Sequence, residues 1–285
     1  MTPREFSILA DLAKRQAGIV FTPDKAYLVE GRINLLLRAR SMGSIAELVG
    51  ALGRGDRPIA AAVVDALTNN ETSFFRDKAP FALLRDQVLP ALADRTPGAR
   101  ITLWSAACST GQEAYSLAMV MDRAARARPG LSFDILGTDI SETCLKVARE
   151  GRYTEFEIQR GLSAADRTVY FERDGKDWRV RADMREKVRW RCLNLLQSLD
   201  DIGRVDIVFC RNVLIYFDQE TRRHVLQKIA SVLTAEGRLF LGASETVFGF
   251  ADVFTRVPGA PGVYKPCSPV RPSGVEQRRP VCAPS

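Results

Sequence analysis

Four short stretches gather the residue types that do chemistry. Leu103-WSAACSTGQEAYSLA places small side chains (Ser105, Ala106, Ala107, Ser109, Thr110, Gly111) between an apolar run and a helical pattern, with Glu113 just inside the helix. Small side chains there let a ligand approach the backbone closely. The stretch is not G-x-G-x-x-G, however, and a tight turn without a ligand fits it equally well. Asp139 ends the next apolar run, in LGTDIS. An acid at that place can hydrogen-bond both hydroxyls of a ribose. Its other reading is a helix cap, a role Ser141 already fills. Val205-DIVFCRNVLIYF ends an apolar run in Arg211-Asn212 and continues to Tyr216. Arg and Asn are costly to bury without partners, so they either face a ligand or close a loop salt bridge. Leu67-TNNETSFFRD sets Asn69, Asn70, Glu71, Thr72 and Ser73 ahead of Phe74-Phe75 and Arg76. A plain polar linker has no need of paired aromatics. A segment folded over a site, rings buried and polar groups toward a ligand, does.

The ligand class follows from charge. Glu113 suits the dipole at a helix N-terminus whether or not anything binds there. A carboxylate beside the turn nevertheless fits a cationic cofactor better than a diphosphate. S-adenosylmethionine carries an ammonium and a sulfonium, whereas NAD carries a pyrophosphate, so the pattern leans toward a methyltransferase. The lone histidine, His224, lies in the amphipathic stretch ETRRHVLQKIASVL and reads as a surface residue. Chemistry that needs a histidine base is therefore disfavoured. The six cysteines form no C-x-x-C pair and read as reduced thiols, which leaves no metal-ligand cluster.

These residues need a frame. Residues 1–75 read as about four short helices, with apolar positions at Phe6, Leu9, Ala10 and Ala13 and again at Val29, Ile33, Leu36 and Leu37. Breaks fall at Gly18, Thr22-Pro23, Met42-Gly43-Ser44 and from Gly53 to Pro58. A helix is expected from Pro80 to Leu92, then a Pro97-Gly98 break. From there strands alternate with helices: a strand after Arg100, a helix from Gln112, a strand over Leu131–Ile140, and a helix from Glu142 to Glu150 that Ser141 starts and Gly151 stops. Further strands fit Val188–Leu193, Val205–Cys210 and Arg238–Ala243. This alternation predicts a parallel, doubly wound α/β sheet, with ligands bound beyond the carboxyl ends of its strands. Residues 152–187 break the rhythm and hold a candidate hairpin, YFERDGKDWRVR, turning at Asp174-Gly175. The last twenty residues, 266–285, are rich in Pro and Ser and read as a disordered tail.

Composition sets outer bounds. The 285 residues are 46% hydrophobic and 26% charged, the balance of a globular protein. No run approaches the ~20 apolar residues of a membrane span, and the N-terminus lacks a signal peptide's apolar core, so a cytoplasmic location without membrane insertion is expected. A net charge of +7 suits an acidic partner. The basic residues are spread out, no aromatic RNA-binding signature appears, and Asn212 is followed by Val213-Leu214 rather than the N/D-P-P-Y/F of nucleic-acid amino-methyltransferases.

In order, TNNETSFFRD, WSAACSTGQEAYSLAM, ILGTDIS, CLNLL, DIVFCRNVLIYFD and GRLFLGASE resemble the motifs of the chemotaxis receptor methyltransferases, the CheR family, over roughly residues 1–265. The resemblance implies an N-terminal helical domain (1–75) joined to a class I S-adenosylmethionine-dependent methyltransferase domain (76–265) of Rossmann-like fold, with an inserted β-subdomain (152–187). It implies methyl transfer to glutamate carboxylates of chemoreceptor cytoplasmic helices, with S-adenosylhomocysteine as product. Matching positions suggest Asn70, Thr72 and Arg76 at the cofactor's methionine end, Glu113 at its amino group and Asp139 at its ribose. Asn194 and Leu195 would flank the adenine, Arg211 and Asn212 would complete the pocket, and Arg76 and Tyr216 would lie nearest the transferred methyl. Arg32, Arg38 and Arg40 are candidate contacts to the acidic receptor helix, although at about 100° per residue they do not share one face. The hairpin is shorter than that of family members that bind a receptor tether peptide, so no tether is expected to be needed. The protein is expected to be a monomer without a nucleic-acid partner. A nucleic-acid methyltransferase and a non-catalytic cofactor-binding module are the rival readings.

Overall fold

A computed structural model describes residues 1–95, 98 and 100–267 of the chain. Helix α1 (Pro3–Ala17) begins on a capping box. The Thr2 hydroxyl accepts from the Glu5 N–H, and the Glu5 carboxylate accepts from the Thr2 N–H. The helix stops at Gly18, whose φ of +75° is readily available only to glycine. Then come α2 (Ala26–Ala39), α3 (Ile45–Gly53) and α4 (Arg57–Leu67). Their inward stripes, among them Leu9, Ala13, Val29, Ile33, Leu48, Val63 and Leu67, close into one core.

The next helical stretch is not uniform. It runs as α5 (Ala79–Leu83), a π-helical turn over Leu84–Val88 and α6 (Leu89–Arg95), in place of the single helix expected from Pro80 to Leu92. The α/β unit continues with β1 (Arg100–Ala106), α7 (Gln112–Ala127), β2 (Ser132–Asp139) and α8 (Glu142–Glu150). Ser141 accepts from the Cys144 N–H to start α8, and Gly151 ends it at φ +61°. The insertion comprises β3 (Arg152–Tyr153), α9 (Glu155–Gln159), α10 (Ala164–Tyr170), β4 (Phe171–Asp174), β5 (Asp177–Val180) and α11 (Ala182–Arg185). Its strands form an antiparallel sheet in the order β3-β5-β4, with Asp174 paired to Asp177 across a Gly175-Lys176 loop. The chain returns through β6 (Val188–Cys192), β7 (Val205–Cys210), α12 (Gln219–Val232), β8 (Leu233–Phe240), β9 (Phe254–Arg256) and β10 (Val263–Pro266).

The main sheet has the order β6-β2-β1-β7-β8-β10-β9. Its first five strands are parallel, but β10 runs antiparallel to both β8 and β9. The wholly parallel sheet expected from the alternation is thus corrected to a mixed one. A parallel neighbour needs a crossover of a dozen or more residues, usually helical, and residues 257–262 instead make a short return. The last parallel strand also begins at Leu233 rather than Arg238 and ends at Phe240. Ordered chain extends through Pro266 and Cys267, where a tail was expected to begin; the rest of that expected tail lies outside the described residues.

Side chains alternate across the sheet with period two. Ile101, Leu103, Ile207 and Phe209 pack on one face with α5 and α7, while Trp104, Ala106, Val208 and Cys210 pack on the other with Val225, Leu226 and Ile229 of α12. Phe74, fully buried, inserts edge-on between Tyr153 (5.0 Å) and Phe171 (5.4 Å) and so clamps the linker to the inserted subdomain. That clamp depends on Gly161. Its φ is +109°, and a Cβ there would lie 1.9 Å from the Phe74 carbonyl oxygen. Gly161→Ala should therefore lower stability by roughly 1–3 kcal/mol, read as a reduced urea midpoint with an unchanged slope.

Candidate active site

Strand order reverses at β1, which has β2 on one side and β7 on the other. At such a switch point the loops leaving the carboxyl ends of the strands diverge and open a crevice. Here that crevice is partly open to solvent. Ala17 and Ile19 of the helical domain, Asn69 to Thr72 and Arg76 of the linker, Ala107 to Ser109 after β1, and Asp139 after β2 line it. Leu193 to Leu195 after β6 and Arg211 to Val213 with Tyr216 after β7 complete it. Apart from Ser41, every described non-glycine residue with positive φ falls in three segments around this crevice: Phe75, Asp77 and Lys78; Ala107 and Ser109; and Asn212. Backbone strain of this kind gathers at functional sites.

Two buried carboxylates set the electrostatics. Asp139 accepts from the Ser109 N–H (2.7 Å) and the Ser141 N–H (2.9 Å). That uses two of its roughly four acceptor positions and leaves room for ribose hydroxyls. Burial pushes its carboxyl above the ordinary range, against the pull of those N–H groups. Glu113 accepts from the Ser105 hydroxyl (2.8 Å) and from Arg211 Nη1 (3.1 Å). Burial raises its carboxyl too, opposed first by the Arg211 charge. The Arg211 guanidinium also donates to Asp77 Oδ2 (2.6 Å) and to the Arg76 carbonyl (2.9 Å), while its buried Nε has no partner among the described residues. Glu113 and Asp139 are thus acceptors with capacity to spare, suited to an ammonium and a ribose. The unpaired Nε is a donor suited to a carboxylate. This donor set fits S-adenosylmethionine.

Tyr216 is held from two sides. Its hydroxyl accepts from Asn69 Nδ2 (2.5 Å), and its carbonyl accepts from the Val20 N–H (2.9 Å). Arg76 Nη1 donates to the Glu71 carbonyl (2.9 Å). Burial pushes the Cys108 thiol, which also lines the crevice, well above its usual range, and lifts the neighbouring Cys144 thiol to about 11. Both stay protonated and unreactive at neutral pH.

Residues 4–68 match the family described as the CheR methyltransferase all-alpha domain, and residues 70–263 match the CheR methyltransferase SAM-binding domain. The chain belongs to the CheR methyltransferase family. It is 40% identical over 263 residues to the chemotaxis protein methyltransferase 1 of Pseudomonas aeruginosa, covering 91% of this chain and 96% of that protein. It is also 40% identical over 272 residues to the chemotaxis protein methyltransferase 1 of Vibrio cholerae, covering 93% and 98% respectively. Among solved structures, a TehB-like SAM-dependent methyltransferase from Corynebacterium glutamicum resembles it distantly, with a TM-score of 0.37, 16% identity and coverage of 78% of this chain and 97% of that one. This CheR-family protein is an S-adenosylmethionine-dependent methyltransferase.

Asn70, Thr72, Arg76, Glu113, Asp139, Asn194, Leu195, Arg211, Asn212 and Tyr216 all line the crevice. The structure adds detail to two of them. Arg211 was expected to face a ligand or close a loop salt bridge. It forms an ion pair with Glu113 and Asp77 and is presented to the crevice by that pairing. Asn194 has its side chain committed, Nδ2 donating to the Gln16 carbonyl (2.5 Å) and Oδ1 accepting from the Leu196 N–H (2.9 Å), so Leu195 rather than the Asn194 amide offers the apolar wall. Arg32, Arg38 and Arg40 sit on α2 and its C-cap and are not among the crevice-lining residues. Arg32 is half-buried and caps α4 by donating to the Leu67 carbonyl (2.6 Å), whereas Arg38 and Arg40 are exposed.

Four residues at or beside the crevice lie outside the candidate set. Asn69 stands in the sequence as one member of a polar run, and Ala17 and Ile19 of the helical domain carry no signal there. Glu245, quoted within GRLFLGASE, carried a signal, a lone acid just beyond an apolar strand. Because the acceptor capacity of Asp139 depends on its charge, Asp139→Asn should weaken S-adenosylhomocysteine binding by about 10- to 100-fold, the equivalent of roughly 1.5–3 kcal/mol for hydrogen bonds to a charged group, measured by calorimetry on protein whose circular dichroism is unchanged.

Proposed function

We propose that the protein methylates glutamate side chains on the cytoplasmic helices of chemoreceptors. The observation that carries this reading is the crevice itself, with two buried carboxylates that have acceptor capacity to spare, an arginine and a tyrosine at its linker side, and no histidine, in a chain that belongs to the CheR family. Bound S-adenosylmethionine supplies an electrophilic methyl group on a sulfonium. The chain's own residues bind and aim. Glu113 takes the ammonium, Asp139 the ribose hydroxyls, and Asn70, Thr72 and Arg76 the methionine end, while Leu195 walls the adenine.

A glutamate has a reference pKa of about 4.3 and arrives ionised. Its oxygen forms the C–O bond as the S–C bond breaks, leaving a neutral ester and a neutral thioether. No proton has to move, so no general base is needed. The protein must instead position the oxygen in line and strip its water, because a hydrated carboxylate is a poor nucleophile. Arg76 orients a carboxylate, and the Tyr216 hydroxyl, pinned by Asn69, donates a hydrogen bond beside the reacting atoms. The basic surface of the helical domain, with exposed Arg38 and Arg40, meets the acidic receptor helix.

Arg76→Ala and Tyr216→Phe should each cut turnover on a receptor fragment, by about 10²-fold where positioning is lost. The labelled product should release methanol in base, as an ester does; wild-type turnover in both variants would remove these roles. Incubation with RNA should yield no labelled product, which separates this reading from a nucleic-acid methyltransferase. Charge reversal, Arg38→Glu, should raise KM for the receptor and flatten its salt dependence while leaving S-adenosylhomocysteine affinity unchanged. An unaltered KM would take Arg38 off the docking surface.

A further inference from the structure

Beyond the residues that face the crevice, one buried side chain controls a whole turn of it. Glu245 follows β8, is 7% exposed, and forms no ion pair among the described residues. Its charge is met by backbone alone. Oε2 accepts from the N–H groups of Asn212 (2.7 Å) and Gly242 (2.7 Å), and Oε1 accepts from those of Val213 (2.9 Å) and Leu214 (2.8 Å). Three consecutive N–H groups converging on one anion make a nest, the arrangement by which backbones bind free anions. Here the anion is part of the chain. The nest requires Asn212 at φ +59°. It also requires glycine at 242, where a Cβ would lie 2.8 Å from Glu245 Oε2 and 2.9 Å from Asn212 Nδ2.

The turn held this way joins the two halves of the site. At its start, Arg211 binds Glu113 and Asp77. At its end, Tyr216 meets Asn69 and Val20. Between them, the Val213 and Leu214 carbonyls accept from the Tyr216 (3.2 Å) and Phe217 (3.1 Å) N–H groups in a 3₁₀ turn, and Leu214 also from Arg222 Nε (2.8 Å), while the 212–214 N–H groups are gathered by Glu245. A neutral side chain of the same shape could not accept from all four donors, since an amide would turn its own N–H groups toward them. The geometry points to Glu245 as a positioning residue for methyl transfer: its carboxylate gathers the 212–214 amides and so fixes Asn212 and the Tyr216 hydroxyl at the crevice. This rests on the catalytic reading given above for Tyr216.

The test compares Glu245→Gln, Glu245→Asp, Tyr216→Phe and the double variant Glu245→Gln/Tyr216→Phe with wild type. Turnover of a receptor fragment, its KM, S-adenosylhomocysteine affinity and amide hydrogen exchange over residues 211–217 are measured for each. Glu245→Gln should lower kcat by about 10²-fold, as misplacement of a reacting group does, with receptor KM unchanged. The double variant should be no slower than the slower single variant, because both changes remove one function. Exchange should rise over 211–217 and stay unchanged in the strands of the sheet. Glu245→Asp, which keeps the charge, should recover part of kcat and part of the protection. Wild-type kcat in Glu245→Gln, losses that multiply in the double variant, or unaltered exchange over 211–217 would each overturn the proposal. If Glu245→Gln fails to fold, the Asp variant carries the same readouts. If wild type binds S-adenosylhomocysteine but methylates no receptor, the catalytic reading fails on its own. The exchange measurement then still decides whether Glu245 holds the turn.

Discussion

The guanidinium of Arg211 is all but sealed from water, its side chain 1% exposed, and the carboxyl edge of the sheet is organised by what that burial demands. A buried charge has to be paired and hydrogen-bonded. Arg211 finds Glu113 at the start of α7, and Asp77 with the Arg76 carbonyl in the linker. One side chain therefore ties a strand end, a helix start and the segment between the two domains. Removing one member of such a buried pair characteristically costs about 3–5 kcal/mol, because the other charge is left stranded. The same pairing keeps a carboxylate beside the cofactor crevice despite the burial that opposes its ionisation.

The second organising feature is closure. Val20 N–H meets the Tyr216 carbonyl, Asn194 meets the Gln16 carbonyl, Thr143 meets Asp65, and Lys14 pairs with Asp218, all between the helical domain and the α/β unit. These contacts bring Ala17 and Ile19 against the crevice, so the helical domain supplies part of its wall. A wall of this kind serves the chemistry. An ionised carboxylate needs no base, but it does need to shed water and meet an aligned methyl group, and both follow from enclosure and fixed geometry. The lack of a catalytic histidine and the wealth of positioning contacts are two sides of one mechanism.

Local signals carried much of the architecture. The 3.6-residue stripes of α1 and α2 reappear as the core of the helical domain, with Leu9, Ala13, Val29 and Ile33 fully buried. Ser141 and Gly151 mark the ends of α8, and Asp174-Gly175 marks the hairpin, because caps and turns depend on a few neighbouring residues. β9 and β10, three and four residues long, are too short to show a period, and although Pro258-Gly259 and Pro261-Gly262 mark a turn between them, nothing local says that the strands on either side join the sheet antiparallel. The π-helical turn at Leu84–Val88 was equally silent, since one extra residue in a turn barely disturbs an apolar stripe.

At the site, the sequence determined which groups are present: the small residues after β1, the acids Glu113 and Asp139, the Arg211-Asn212 pair, and the aromatics that anchor the linker. Their types follow from what a cationic cofactor and a buried strand end require, and those requirements are local. Only the tertiary structure decided who pairs with whom. Glu113 meets Arg211 across 98 residues, Tyr216 meets Asn69 across 147, and Asn194 meets Gln16 across 178. Arg32 turns inward to cap α4, and Glu245 gathers amides from a strand loop 31–33 residues away. Residue type sets what a side chain can bind, but the partner it finds depends on strand order and domain packing, which bring together groups that no spacing along the chain relates.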